Sequence, residues 1–240
     1  GYLALNRGDF DLAADELSHA LEENFALDSI IPLELATAYL NLKKLDEAQR
    51  LLETFLQYHP DALPGYQLLC EVYWEIGAFD HAETLLADCP DDLKHSLAYV
   101  LLRGKTLSQA GRHPEAASFY QDSMEAYGWN EPLAIALADT LETLGDLESA
   151  RNLYAEIMDQ CRSCHAQLDP LIKRRFADIS FDLGQHSSAI MEMYLSLAQD
   201  DPENAPLYFQ KISRIYTSMG NEEEARRFRV FAQQAENGKR

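Results

Sequence analysis

Long apolar runs are missing from this chain: no stretch approaches the ~18 apolar residues that a membrane-spanning helix needs. Basic residues are scarce, with 20 Lys and Arg against 40 Asp and Glu, a formal net charge of −20. A surface of that sign repels phosphate backbones and anionic headgroups, which argues against nucleic acid and membranes and for a basic or amphipathic protein segment as partner. Four cysteines in 240 residues are too few for a disulfide scaffold, and they do not fix a compartment. The sequence has no His-Glu-x-x-His zinc helix, no glycine-rich loop to cradle phosphate and no nucleophile elbow. Neighbouring acids such as Glu22-Glu23, Asp91-Asp92 and Glu222-Glu223-Glu224 read as solvated helix faces or helix starts rather than acid/base pairs. The chain is therefore not expected to be an enzyme. Its opening, GYLALNRGDF, lacks an initiator Met, a basic stretch and a cleavage site, so no export signal is visible and further residues are expected upstream.

With 47% hydrophobic and 25% charged residues, the chain has ample material for a folded core. That material is periodic. A turn-forming residue followed by an acidic-apolar pattern recurs at Gly8, Lys43, Gly77, Gly111, Gly145, Gly184 and Gly220, at intervals of 35, 34, 34, 34, 39 and 36 residues. Five residues after each lies an alanine: Ala13, Ala48, Ala82, Ala116, Ala150, Ala189 and Ala225. Seven residues before each lies a small residue: Gly1, Ala36, Cys70, Gly104, Ala138, Ala177 and Ser213. The spacing predicts a helical hairpin repeated seven times, its small residues letting two backbones approach while Leu52, Leu86, Tyr120 and Tyr154 fill the space beside them. The last hairpin has Arg229 where a large apolar residue is expected, with Phe228 to take over the packing. Asp169-Pro170 and Asp201-Pro202 each read as a helix cap followed by proline in the first turn.

GKTLSQAGRHPEAASFY (104–120), ALADTLETLGDLESARNLY (136–154) and CEVYWEIGAFDHAETLL (70–86) resemble the motif of the tetratricopeptide repeat family, and the likeness extends over essentially the whole chain. The resemblance implies an all-α, right-handed superhelical solenoid of about seven repeats, placed near 1–25 (partial), 30–60, 64–91, 97–127, 131–161, 170–201 and 206–236. It also implies a non-enzymatic scaffold without cofactor, in which the first helix of each repeat lines a groove for an extended peptide or a partner helix. Groove positions are then Leu33, Leu40, Leu68, Trp74, Leu101, Leu102 and Ile135, interleaved with Glu71, Glu75, Lys105, Asp139, Glu142, Asp178 and Asp182. That is an apolar groove with an acidic wash, suited to a basic or amphipathic segment, with Trp74 as anchor. The family's chaperone-tail clamps gather several Lys, Arg and Asn. Here only Lys105 and, further on, Arg174, Arg175, Lys211 and Arg214 are on hand, so no clamp is expected in the central repeats.

The 39-residue interval places a surplus near 160–168, where Cys-x-x-Cys-His reads Cys161, Cys164 and His165. Those three are candidates for c-type haem attachment, for zinc with His186 as a fourth ligand, or for a redox disulfide near Lys173, Arg174 and Arg175. The fourth reading is an inert loop away from the packed positions. A redox, haem or metal protein framed by repeats is thus the alternative to the scaffold. Cys70 and Cys89 occupy places that want a small residue and read as structural.

Overall fold

A computed structural model describes residues 1–24, 30–163 and 169–237. Among the described residues there are fifteen helices and no strand. Contacts divide the chain into two compact units, Gly1–Gly128 and Trp129–Arg240. The first holds α1 (Tyr2–Asn6), α2 (Phe10–Asn24), α3 (Ile31–Asn41), α4 (Leu45–Tyr58), α5 (Leu63–Glu75), α6 (Phe79–Ala87), α7 (Asp91–Lys94), α8 (Leu97–Gln109) and α9 (His113–Tyr127). The second holds α10 (Glu131–Leu144), α11 (Leu147–Ser163), α12 (Pro170–Asp182), α13 (Ser188–Asp200), α14 (Ala205–Ser218) and α15 (Glu222–Asn237). No helix among the described residues is long and apolar enough to cross a membrane.

Each hairpin closes where the sequence marks it. Gly145 ends α10 in the left-handed region at φ 80°, its N–H bonded to the Glu142 carbonyl, and the chain re-enters a helix two residues later. At the second mark the same conformation, φ 57°, falls on Lys43, whose Cβ crowds the backbone at a cost of about 1–2 kcal/mol that glycine would avoid. The small residues lie in the helix contacts: Ala36, Cys70, Ala138 and Ala177 are fully buried, as are Ala48, Ala82, Ala116 and Ala150. Leu52, Leu86, Tyr120 and Tyr154 are buried beside them. Burying one such leucine contributes about 2 kcal/mol, and Cys70 and Cys89 belong to the same continuous core.

Three local readings of the sequence need correction. The sixth hairpin keeps its glycine turn at Gly184, φ 70°, but α13 begins at Ser188, after Ser187 caps it through the Ile190 N–H. The later start slides the register by one residue, so Ala189 is exposed and Ile190 takes the buried place. Asp169-Pro170 caps α12 as expected, the carboxylate accepting the Leu171 N–H at 2.8 Å. Asp201-Pro202 does not start α14, which begins at Ala205. Asp201 instead accepts the Asn204 side-chain amide at 2.8 Å and the Tyr208 hydroxyl at 3.1 Å. The third correction concerns Cys161, which lies on α11 and is buried, because that helix runs on to Ser163. In the last hairpin Phe228 is buried against Phe209, Tyr216 and Phe231, while Arg229 turns out to Glu222 and Ser213.

Candidate functional site

In the first unit the ends of α3, α5 and α8 form one open groove of about 590 Å³. It is lined by Leu40, Asn41, Lys43, Glu71, Trp74, Glu75, Lys105 and Gln109. Successive first helices stack with a spacing near 34 residues, which brings Leu40 beside Trp74 and Glu71 near Lys105. Five of the sequence-derived candidates therefore meet here: Leu40, Glu71, Trp74, Glu75 and Lys105. Lys105 Nζ sits 4.8 Å from the centroid of the Trp74 ring, a cation–π contact. Lys43 Nζ donates to the Glu75 carboxylate, so the strained turn residue delivers an ammonium group to the groove wall. Glu71 and Lys105 have no ionic partner among the described residues. The Trp74 indole N–H is buried and unpartnered among them. Two carboxylates and two ammonium groups surround the apolar floor, so this stretch is balanced in charge rather than acidic.

The remaining apolar candidates are elsewhere. Leu33 and Leu68 are half-buried against the core of the first unit, Leu102 is inside it, and Leu101 is half-buried on α8. Asn41 and Gln109, which sequence reasoning did not single out, follow the helix ends into the groove, and Lys43 joins them from the turn after α3. Lys43 was legible as the one turn mark that is not glycine.

In the second unit three of the acids expected to face a partner, Asp139, Glu142 and Asp178, are engaged within the fold. The Tyr154 hydroxyl donates to Asp139 at 2.6 Å, and Arg175 donates to both oxygens of Glu142 at 2.8 Å. One repeat on, the Tyr194 hydroxyl donates to Asp178 at 2.9 Å and Lys211 to the same carboxylate at 2.6 Å, with Arg174 at 3.7 Å. Arg175 and Lys211 stand nine residues before their turns, each paired with an acid of the preceding repeat. Ile135 is half-buried, and Asp182 is exposed. Asp178 thus holds a phenol and two cations together. Asp178→Ala would leave the buried Tyr194 hydroxyl without its acceptor, and thermal unfolding of the full chain should show a loss of about 1–3 kcal/mol.

These phenols also set a pH dependence. Burial first, then the Asp139 carboxylate, pushes Tyr154 well above its ordinary 10.0, and burial followed by Asp178 does the same at Tyr194. The Cys70 thiol, ordinarily near 9.0, is pushed up to about 12, again chiefly by burial. Each group keeps its proton in the fold and loses it more readily in the unfolded chain, so stability falls as pH rises. The contribution is complete below the unfolded values and is lost progressively from about pH 9 upward. Melting temperature followed by circular dichroism should decline above that point, and more gently in Tyr154→Phe/Tyr194→Phe.

Among the described residues no three His, Cys, Asp or Glu side chains converge as a metal site. Cys161 Sγ points to the Glu131 carboxylate at 4.0 Å. Cys164 and His165 lie outside the described residues.

The tetratricopeptide repeat profile matches residues 43–105 and 107–174, more than half of the chain. A tetratricopeptide repeat protein from Parabacteroides merdae is similar in structure at 16% identity and TM-score 0.60, with 98% of this chain and 90% of that one covered. Pseudomonas aeruginosa pilF gives 13% identity and TM-score 0.61 over 94% of this chain and 93% of its own. A thermophilic protein of the same repeat type from Thermus thermophilus gives 23% identity and TM-score 0.56 over 75% of this chain and 94% of its own. Identities this low establish likeness of fold. Comparison with curated protein sequences gives no match.

Proposed function

The chain belongs to the tetratricopeptide repeat family, and from that premise we propose that it is a non-enzymatic scaffold that binds a protein segment in the groove of its first unit. The observation that carries the reading is the Trp74–Leu40 floor, bordered by two charges, Glu71 and Lys105, that the described fold leaves without ionic partners. A half-buried aromatic among short polar walls is the composition of an interface anchor. The partner is an amphipathic segment that sets an apolar side chain on Trp74 and a Lys or Arg against Glu71, bound as a helix or an extended strand. Lys43 supports the same site: strain accepted at one turn, with the residue's ammonium group held on the groove wall, is more readily explained by use than by packing. Asp139 and Glu142, also expected at the groove, pair with Tyr154 and Arg175 inside the second unit.

Charge reversal tests the partner's sign. Glu71→Lys should weaken binding of a captured partner about tenfold and flatten its salt dependence, because one attractive pair becomes repulsive. Unchanged binding would remove the basic contact from the reading.

A further inference from the structure

The second unit carries a pocket of about 520 Å³ on another set of helices. Its walls are the second helices of two successive hairpins, α11 and α13, together with the turn Gly184–Ser187 and Phe176 of α12. The irregular sixth hairpin shapes it. With α13 starting late, Ala189 stands at the pocket wall instead of in a helix contact, and Ile190 closes the floor with Met158 and Phe176. Met193 is half-buried beside them.

The polar part of the lining is cationic in a chain of formal charge −20. The Arg151 guanidinium lies 5.0 Å over the Phe176 ring, and its Nε donates to Ser180 Oγ at 3.1 Å. Its Nη1 reaches Asn152 at 3.4 Å, and no carboxylate pairs with it among the described residues. Arg162 at the rim is 70% exposed and makes a loose pair with Asp159 at 3.4 Å. His186 Nδ1 is 2.6 Å from Ser218 Oγ. Two guanidinium groups therefore stand against one carboxylate.

We propose that this pocket docks a second protein segment, one that presents a carboxylate beside a large apolar side chain. A guanidinium already oriented by an aromatic face and a hydroxyl has little freedom left to lose when its remaining N–H groups meet a carboxylate. Two methionines in the lining adapt to the shape of an inserted Leu or Phe. The volume suits one or two such side chains. The site uses other helices, in the other unit, and a partner of the opposite sign, so it stands whether or not the Trp74 groove binds.

Two fluorescein-labelled synthetic peptides with the same Phe-Leu centre, flanked by Glu in one and by Lys in the other, test it by anisotropy on the full chain. The acidic peptide should bind, and the basic one about tenfold more weakly or worse. Arg151→Gln should weaken the acidic peptide about tenfold, Arg162→Gln by less, and Trp74→Ala should leave it unchanged. If Arg151→Gln lowers the melting temperature, Met193→Glu serves in its place and should repel the same peptide. No binding of the acidic peptide, equal binding of both, affinity indifferent to Arg151→Gln or Met193→Glu, or loss of binding in Trp74→Ala would overturn the proposal.

Discussion

Gly104→Ala should destabilise the chain by about 1–3 kcal/mol, although alanine is the better helix former by about 1 kcal/mol. A Cβ at residue 104 would sit 2.2 Å from Cε1 and Cζ of the Tyr120 ring, far inside contact distance, and that ring is itself buried. The repeat explains why glycine is needed here and alanine suffices one turn mark later. At Tyr154 and Tyr194 the hydroxyl finds Asp139 or Asp178, the residue next to the small one. Beside Gly104 that place holds Lys105, so the Tyr120 hydroxyl turns to the Leu101 carbonyl at 3.4 Å and its ring settles over the glycine. The loss should lower the melting temperature by about 2–4 °C per kcal/mol. Adding Lys105→Asp should restore part of it, because the phenol then gains the acceptor its counterparts have. A single variant as stable as the parent would mean that the ring moves aside freely. A double variant no better than the single one would mean that the acceptor does not set its position.

Trp74→Ala should weaken binding of the groove's partner by about 2 kcal/mol or more, roughly thirtyfold in Kd. The indole supplies most of the apolar floor and holds the Lys105 ammonium above it, so truncation removes an anchor and releases a charge together. Its far side packs on the core of the first unit, so a stability cost accompanies the substitution. Trp74→Phe separates the two effects. It keeps a ring on the floor and removes an indole N–H that is buried without a partner among the described residues. That variant should melt at or slightly above the parent temperature and bind within a few-fold of it. Equal losses in Phe and Ala would point to folding rather than to the interface.

The period, the small residues and the turn marks were legible because each follows from one repeated backbone geometry with few solutions. Lys43 at a glycine mark and Arg229 beside Phe228 could be read for the same reason. What the sequence hid depends on local competition. Ser187 offers a good cap one step past the expected helix start, and its advantage shifts α13 so that Ile190 displaces Ala189. Asp201 finds side-chain donors in Asn204 and Tyr208 and forms a turn where a helix cap was expected. The acids of the second unit looked available because pattern alone does not place the cations of the next repeat beside them. The interval of 33 residues from Glu142 to Arg175 and from Asp178 to Lys211 is the signal that could have found those pairs. Five lining residues of the Trp74 groove were legible, because Leu40, Glu71, Trp74, Glu75 and Lys105 lie on first helices of neighbouring repeats. Its neutral charge was not, since Lys43 enters from a turn.

The most direct test of the scaffold reading is parallel affinity capture from the source cells on three immobilised chains: the parent, Trp74→Phe and Trp74→Ala/Glu75→Lys. Recovered proteins are quantified after matching the baits for folded content by circular dichroism. A protein retained by the parent and by Trp74→Phe but lost from the double variant, and rebinding the parent once purified, is the predicted result. Equal recovery on all three chains would contradict a binding groove at Trp74.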